Sequence, residues 1–72
     1  MKLLTDYKKG TLVTFKWYER WQDAFFNTNN FRITEGIIEE STMIGNCLNF
    51  IVYNGHENKY YAVRSEDIVK AF

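Results

Sequence analysis

A single cysteine, Cys47, and a single histidine, His56, deny this 72-residue chain the two devices that usually hold a very short domain together. One cysteine closes no intrachain disulfide, and one cysteine with one histidine is too few for a structural zinc site. A domain of this length buries only about 60 % of the surface its unfolded chain exposes, so its core has little in reserve. That core must come from packing alone, and aromatic rings are the natural suppliers. Phe, Tyr and Trp make up 18 % of the residues, and each ring can bury roughly 150–250 Å². The length allows one domain, residues 1–72, and no more. No cofactor and no metal is expected.

The hydrophobic periodicity reads as β. Residues 11–17 alternate Val13, Phe15 and Trp17 with Thr14 and Lys16, the period of a half-buried strand. Residues 32–41 set Ile33, Ile37 and Ile38 among glutamates, with Gly36 marking a bulge or a sharp bend. Residues 47–53 carry Leu48, Phe50 and Val52 on one face, and residues 59–64 carry Tyr61 and Val63 opposite Tyr60 and Ala62. Between these two lies Asn54-Gly55-His56-Glu57-Asn58, whose opening Asn-Gly is a strong hairpin signal. Ser65-Glu66-Asp67 reads as an N-cap followed by acidic first-turn residues, before a last short strand at 69–72. The expected core is Val13, Phe15, Ile37, Leu48, Phe50, Val52, Tyr61, Val63 and Ile68.

Two stretches stay open. Residues 1–9 fit one or two helical turns or an extended lead-in. In residues 17–31, Trp17, Trp21 and Phe25 fall at i, i+4 and i+8, which suits an amphipathic helix ending near Asn27. A long, irregular, aromatic-rich loop between two strands fits them as well.

The order Gly10-x-x-Val13-x-Phe15, an insertion, Gly36-Ile37-Ile38, a strand pair through a tight loop, Tyr61-x-Val63, the Ser65-Glu66-Asp67-Ile68 turn and a short closing strand resembles the small SH3-like barrels of bacterial and phage proteins. The likeness covers most of the chain outside residues 16–32. It implies a mainly β fold, a five-stranded barrel with an aromatic-rich insertion after its first strand, in which a short helix has room. No match exists to the proline-peptide groove motifs of eukaryotic signalling SH3 domains. SH3-like barrels bind proteins, bind nucleic acids and occasionally catalyse, so the resemblance implies a fold and leaves function to the residues.

Those residues hold little chemistry. Cys47 and His56 are the only pair that resembles a nucleophile and its base, yet a hairpin places them at opposite ends of one strand, roughly 20 Å apart. Cys47 is therefore expected as a small buried hydrophobe and His56 as a solvated turn residue. Glu39 and Glu40 are strand neighbours that point to opposite faces, and Glu66 and Asp67 are accounted for by a helix first turn. Gly10, Gly36, Gly45 and Gly55 are too scattered for a phosphate loop. No catalytic residue is assigned, and the chain is not expected to be an enzyme.

Charge and aromatics single out one region. Net charge is zero, but residues 1–34 hold six basic groups against three acidic, and residues 35–72 hold three against six. Such asymmetry marks a basic face for an anionic partner or simply two halves that attract each other. Within residues 16–32, six aromatics (Trp17, Tyr18, Trp21, Phe25, Phe26, Phe31) sit among Lys16, Arg20 and Arg32. A core this small has no room for all of them, beyond what Trp17, Trp21 and Phe25 bury in capping one end of it. The first functional expectation is a non-catalytic module that binds a protein partner, or itself, through Tyr18, Arg20, Trp21 and Phe26 or through an exposed strand edge. The alternative is a nucleic-acid-binding barrel that uses Lys16, Arg20, Arg32 and the nearby rings. Zero net charge favours the first, because nucleic-acid binding draws on surplus cations. No apolar run exceeds Phe50-Ile51-Val52-Tyr53 in length, and no signal-peptide-length stretch opens the chain. A cytoplasmic protein without membrane attachment is expected.

Overall fold

A computed structural model describes residues 7–72. Its strands are β1 (Leu12–Trp17), β2 (Arg32–Ile44), β3 (Cys47–Asn54), β4 (Lys59–Arg64) and β5 (Ile68–Ala71). They form one antiparallel sheet in the order β4-β3-β2-β1-β5. Among the described residues, helix is confined to one turn, α1 (Asp23–Phe26), and a 3-10 turn at Ser65–Asp67. Of the two options for residues 17–31 the loop holds in the main: Trp17 ends β1, and residues 18–31 are a loop whose one short helix, α1, is capped at Asn27 and does not include Trp17 or Trp21. Of the undecided residues 1–9, the first six lie outside the described residues. Tyr7 packs edge-on against Phe50, with ring centroids 5.3 Å apart.

The long strand β2 organises the sheet. Its first half pairs with β1, from Trp17↔Arg32 to Leu12↔Ile37, and its second half pairs with β3, from Ile37↔Tyr53 to Ile44↔Cys47. At the handover, a Cβ built on Gly36 would sit 2.5 Å from the Tyr53 carbonyl oxygen and 2.6 Å from Val52 Cγ1. Only a glycine lets the two backbones approach so closely. The bulge itself lies further on: the register slips between Ile38 and Glu40, leaving Glu39 as the extra residue, which lets a strand bend.

The core consists of Val13, Phe15, Ile38, Phe50, Val52, Tyr61 and Val63, all essentially fully buried. Trp17, Leu48 and Ile68 pack against it half-buried. Ile37 is a correction. It is 42 % exposed while Ile38 is fully buried, because Gly36 must face inward against β3 and period-2 alternation then turns Ile33, Glu35 and Ile37 outward. Cys47 is a second correction. It is exposed, since it is the first residue of β3 after the Gly45-Asn46 turn, at the end of the ladder.

The β3–β4 loop is knitted to the sheet by a buried polar residue. Asn54 donates from Nδ2 to Glu35 O at 2.8 Å and Thr34 Oγ1 at 3.2 Å, and its Oδ1 accepts the Glu57 N–H at 2.9 Å. Asn58 takes the left-handed conformation (φ 54°) that asparagine tolerates best after glycine. Among the described residues, no helix is long and apolar enough to cross a membrane.

Candidate functional site

The loop between β1 and β2 is held in shape by its own polar groups. Five backbone bonds, Asp23 N–H to Arg20 O, Ala24 N–H to Trp21 O, Phe25 N–H and Phe26 N–H to Gln22 O, and Asn27 N–H to Asp23 O, wind residues 20–27 into a tight coil. Asp23 is 95 % buried (5 % exposed) and accepts a 2.9 Å hydrogen bond from Asn30 Nδ2, with Arg20 Nη2 at 3.9 Å. The Tyr18 hydroxyl donates to Thr28 O at 3.0 Å, and its ring meets Phe31 edge-on at 5.9 Å. A buried carboxylate with no partner would be costly, so these contacts fix the coil around Asp23.

A second set of contacts ties this loop to the sheet. Arg32 donates from Nε to Glu19 at 2.5 Å, from Nη1 to Glu57 at 3.3 Å and from Nη2 to the Tyr61 hydroxyl at 2.8 Å. Tyr61 in turn donates to Glu57, while its ring packs on Phe15 at 5.4 Å and Trp17 at 4.6 Å. The bond to Glu19, and after it the bond to Tyr61, hold the guanidinium above its ordinary pKa. The Tyr61 hydrogen bond lowers the Glu57 carboxyl, and burial raises the Tyr61 phenol.

These ties leave a groove of about 350 Å³ between the loop and the β4–β5 corner. Half-buried Trp17 and buried Val63 form its base; Trp21 and Phe25, 70 % and 62 % exposed, stand at its rim. The two rim rings touch edge-on at 6.3 Å. Arg64, whose Nε binds Asp67 Oδ2 at 2.9 Å, lays its guanidinium 5.7 Å from the Phe25 ring centre. Its pKa is raised, first by the hydrogen bond to Asp67. A second hollow of about 390 Å³ lies over the outer face beside Leu12, Ile37 and Tyr53, with exposed His56 at its edge.

The residues singled out from the sequence are thereby separated. Tyr18, Trp21 and Lys16 line the groove. Arg20 is exposed beside Asp23, and Phe26, 85 % exposed, lies outside the groove lining. Arg32 is bound to two carboxylates rather than facing solvent alone. Cys47 and His56 lie at opposite ends of the β3 strand and its following turn, with no shared site. Among the described residues, no group of three or more His, Cys, Asp or Glu side chains gathers.

No family model, curated protein or solved structure matches this chain. What the groove does must therefore be argued from its own residues. It offers ring faces and apolar contact. Phe25 was read as one of the insertion's six aromatics, a ring capping one end of the core; Arg64 and Asp67 were not legible as members, and their only local signal was an i, i+3 spacing common to ion pairs.

Proposed function

We propose that this domain is a non-catalytic interaction module that receives an apolar segment of a protein partner in the groove between the β1–β2 loop and β4. The observation that carries the reading is the state of Trp21 and Phe25: they are more than half exposed, yet they are held in place beside an apolar base. Large exposed rings on a fixed frame cost little further conformational entropy on binding, which is the property of an interface anchor. Trp21 and Tyr18 are the central contacts of this reading, with Phe25 joining them. Arg20 and Phe26, further out, are peripheral.

The SH3-like barrel belongs to the same proposal. Its support is the strand order, the sharing of β2 between β1 and β3, and the 3-10 turn that leads from β4 into β5. A cytoplasmic setting is also part of it, supported by one exposed free thiol, which persists best in a reducing compartment. The nucleic-acid alternative has less support. Of its three basic residues, Arg32 is neutralised by Glu19 and Glu57 and Arg20 stands near Asp23, which leaves Lys16.

Single variants Trp21→Ala, Tyr18→Ala and Phe26→Ala, with thermal midpoint and partner capture measured with and without nuclease, test the reading. Trp21→Ala is expected to lose capture with its midpoint nearly unchanged, and Phe26→Ala to keep both. Truncating a core ring costs about 3–5 kcal/mol, so unfolding of Trp21→Ala would show that its ring belongs to the core and would sink the proposal. Nuclease-sensitive capture would move the reading to nucleic acid.

A further inference from the structure

The groove runs beside an open sheet edge. Among the described residues, β4 is the outermost strand and pairs only with β3. Among the described residues, no other backbone or side-chain hydrogen bond reaches the backbone of Lys59–Arg64. In an antiparallel strand, alternate residues turn their N–H and C=O groups away from the paired neighbour, so this edge presents unpaired groups. Ala62 and Arg64 of that edge form one bank of the groove, and Trp21 and Phe25 form the other.

The charges along this edge select among occupants. Arg32 and Arg64 are matched by Glu19, Glu57 and Asp67. Lys16 and Lys59 make no ion pair among the described residues; each ammonium lies 5.0 Å from a ring centre, Lys16 over Phe31 and Lys59 over Tyr61. A second copy of β4 is a poor guest. Antiparallel pairing of residues 59–64 with themselves would set Lys59 opposite Arg64 at both ends, and like charges directly opposite are destabilising. A segment with carboxylates near its ends reverses that sign.

We propose that the groove accepts an extended segment of a partner protein that adds to β4 as a sixth strand, its alternate apolar side chains against Trp21 and Phe25 and its acidic residues beside Lys59 and Lys16. The proposal rests on the groove being the interaction site, and it goes further by naming the conformation and charge of what binds. Strand addition draws affinity from main-chain hydrogen bonds and specificity from alternate side chains, which matches an unpaired edge bordered by rings on one side.

The probe is a capped peptide, Glu-Val-Thr-Phe-Thr-Val-Glu, titrated into the full chain by tryptophan fluorescence, with amide hydrogen exchange read at residues 59–64. Controls are the same peptide with lysine for both glutamates, and one N-methylated at alternate backbone nitrogens. The acidic peptide is expected to bind at least tenfold tighter than either control and to slow exchange at the outward amides of β4. Lys59→Glu, an exposed change away from the core, is expected to reverse the preference between the acidic and lysine-ended peptides. Equal affinity for all three peptides, unchanged β4 exchange on binding, or no binding at millimolar peptide would overturn the proposal. If the peptide fails while partner capture still depends on Trp21, strand addition alone falls. If capture is indifferent to Trp21, the groove reading falls with it.

Discussion

Replacing Gly36 with alanine tests the geometry on which the whole sheet depends. The added methyl would lie 2.5 Å from the Tyr53 carbonyl oxygen, 2.6 Å from Val52 Cγ1 and 2.9 Å from the Tyr53 carbonyl carbon. These lie roughly 0.6–1.5 Å inside an ordinary contact of roughly 3.5–4.0 Å. Two of the three atoms are backbone, and β3 cannot drift away because β4 pins its other side. Overpacking of this kind costs about 1–3 kcal/mol, and a clash with a held backbone belongs at the upper end. Alanine recovers about 0.5–1 kcal/mol by restricting the unfolded chain, leaving a net loss of about 2 kcal/mol. For a domain of this size each kcal/mol moves the midpoint by about 4–8 °C, so a fall of roughly 8–16 °C is expected by calorimetry or circular dichroism. Gly45→Ala is the comparison: its Cβ meets nothing within 4 Å, but the backbone is left-handed at φ +63°. The conformational cost there is about 1 kcal/mol. A Gly36→Ala midpoint within about 3 °C of the parent, or above that of Gly45→Ala, would refute the close approach of β2 and β3.

Tyr61→Phe removes the hydroxyl that joins Arg32 to Glu57 and is expected to cost about 1 kcal/mol, read as a midpoint shift at neutral pH. Its pH dependence is more specific. The phenol is raised in the folded protein, so its contribution is complete below the ordinary tyrosine value of about 10 and is lost as pH climbs through the folded value. The alkaline fall in midpoint should therefore be shallower in Tyr61→Phe, and an identical alkaline limb would contradict the buried phenol. Glu57 is lowered, which gives the opposite sign: its contribution is present above about pH 4.3 and fades as pH drops through the folded value. Glu57→Gln should flatten the acid limb correspondingly. Cys47, being exposed, should react with a thiol reagent in the native state nearly as fast as in denaturant. Slow native labelling that accelerates on unfolding would return the thiol to the interior.

The fold was legible where two independent signals agreed. β4 occupies residues 59–64 as alternation predicts, and the Asn54-Gly55 opening does lie between it and β3. Val13, Phe15, Phe50, Val52, Tyr61 and Val63 are core as read. The phase of β2 was not legible, because the strand is apolar on both faces. Ile33 and Ile37 alternate as convincingly as a buried set, and only the crowding at Gly36 decides that Ile38 is the inward residue. Trp17, Trp21 and Phe25 mimicked a helix for a similar reason: a spacing of four fits a helix face, while the alternation of Val13, Phe15 and Trp17 fits a strand, and β1 keeps Trp17 for the second pattern. Of the site, Tyr18 and Trp21 were readable as surplus rings. Phe25, Arg64 and Asp67 join them only through the packing of the loop on the β4–β5 corner, which no local pattern encodes.

The charge asymmetry along the chain now divides into a part the fold uses and a part it leaves. Among the described residues, only Arg32 to Glu57 joins a basic residue of the first half to an acidic residue of the second; Arg20–Asp23, Arg32–Glu19 and Arg64–Asp67 all pair within a half. That bridge between halves also reaches the core, because Tyr61 shares its hydroxyl with both partners while its ring packs on Phe15 and Trp17. Through Arg32 and Glu19 that contact ties the start of the β1–β2 loop, two residues before Trp21, to a ring packed in the core. Exposed ion pairs contribute little to stability, and here their consequence is orientation. Rings fixed in advance lose less freedom on binding than rings on a loose loop, so on the proposed reading any change that frees Arg32 should weaken binding at the groove more than it weakens the fold.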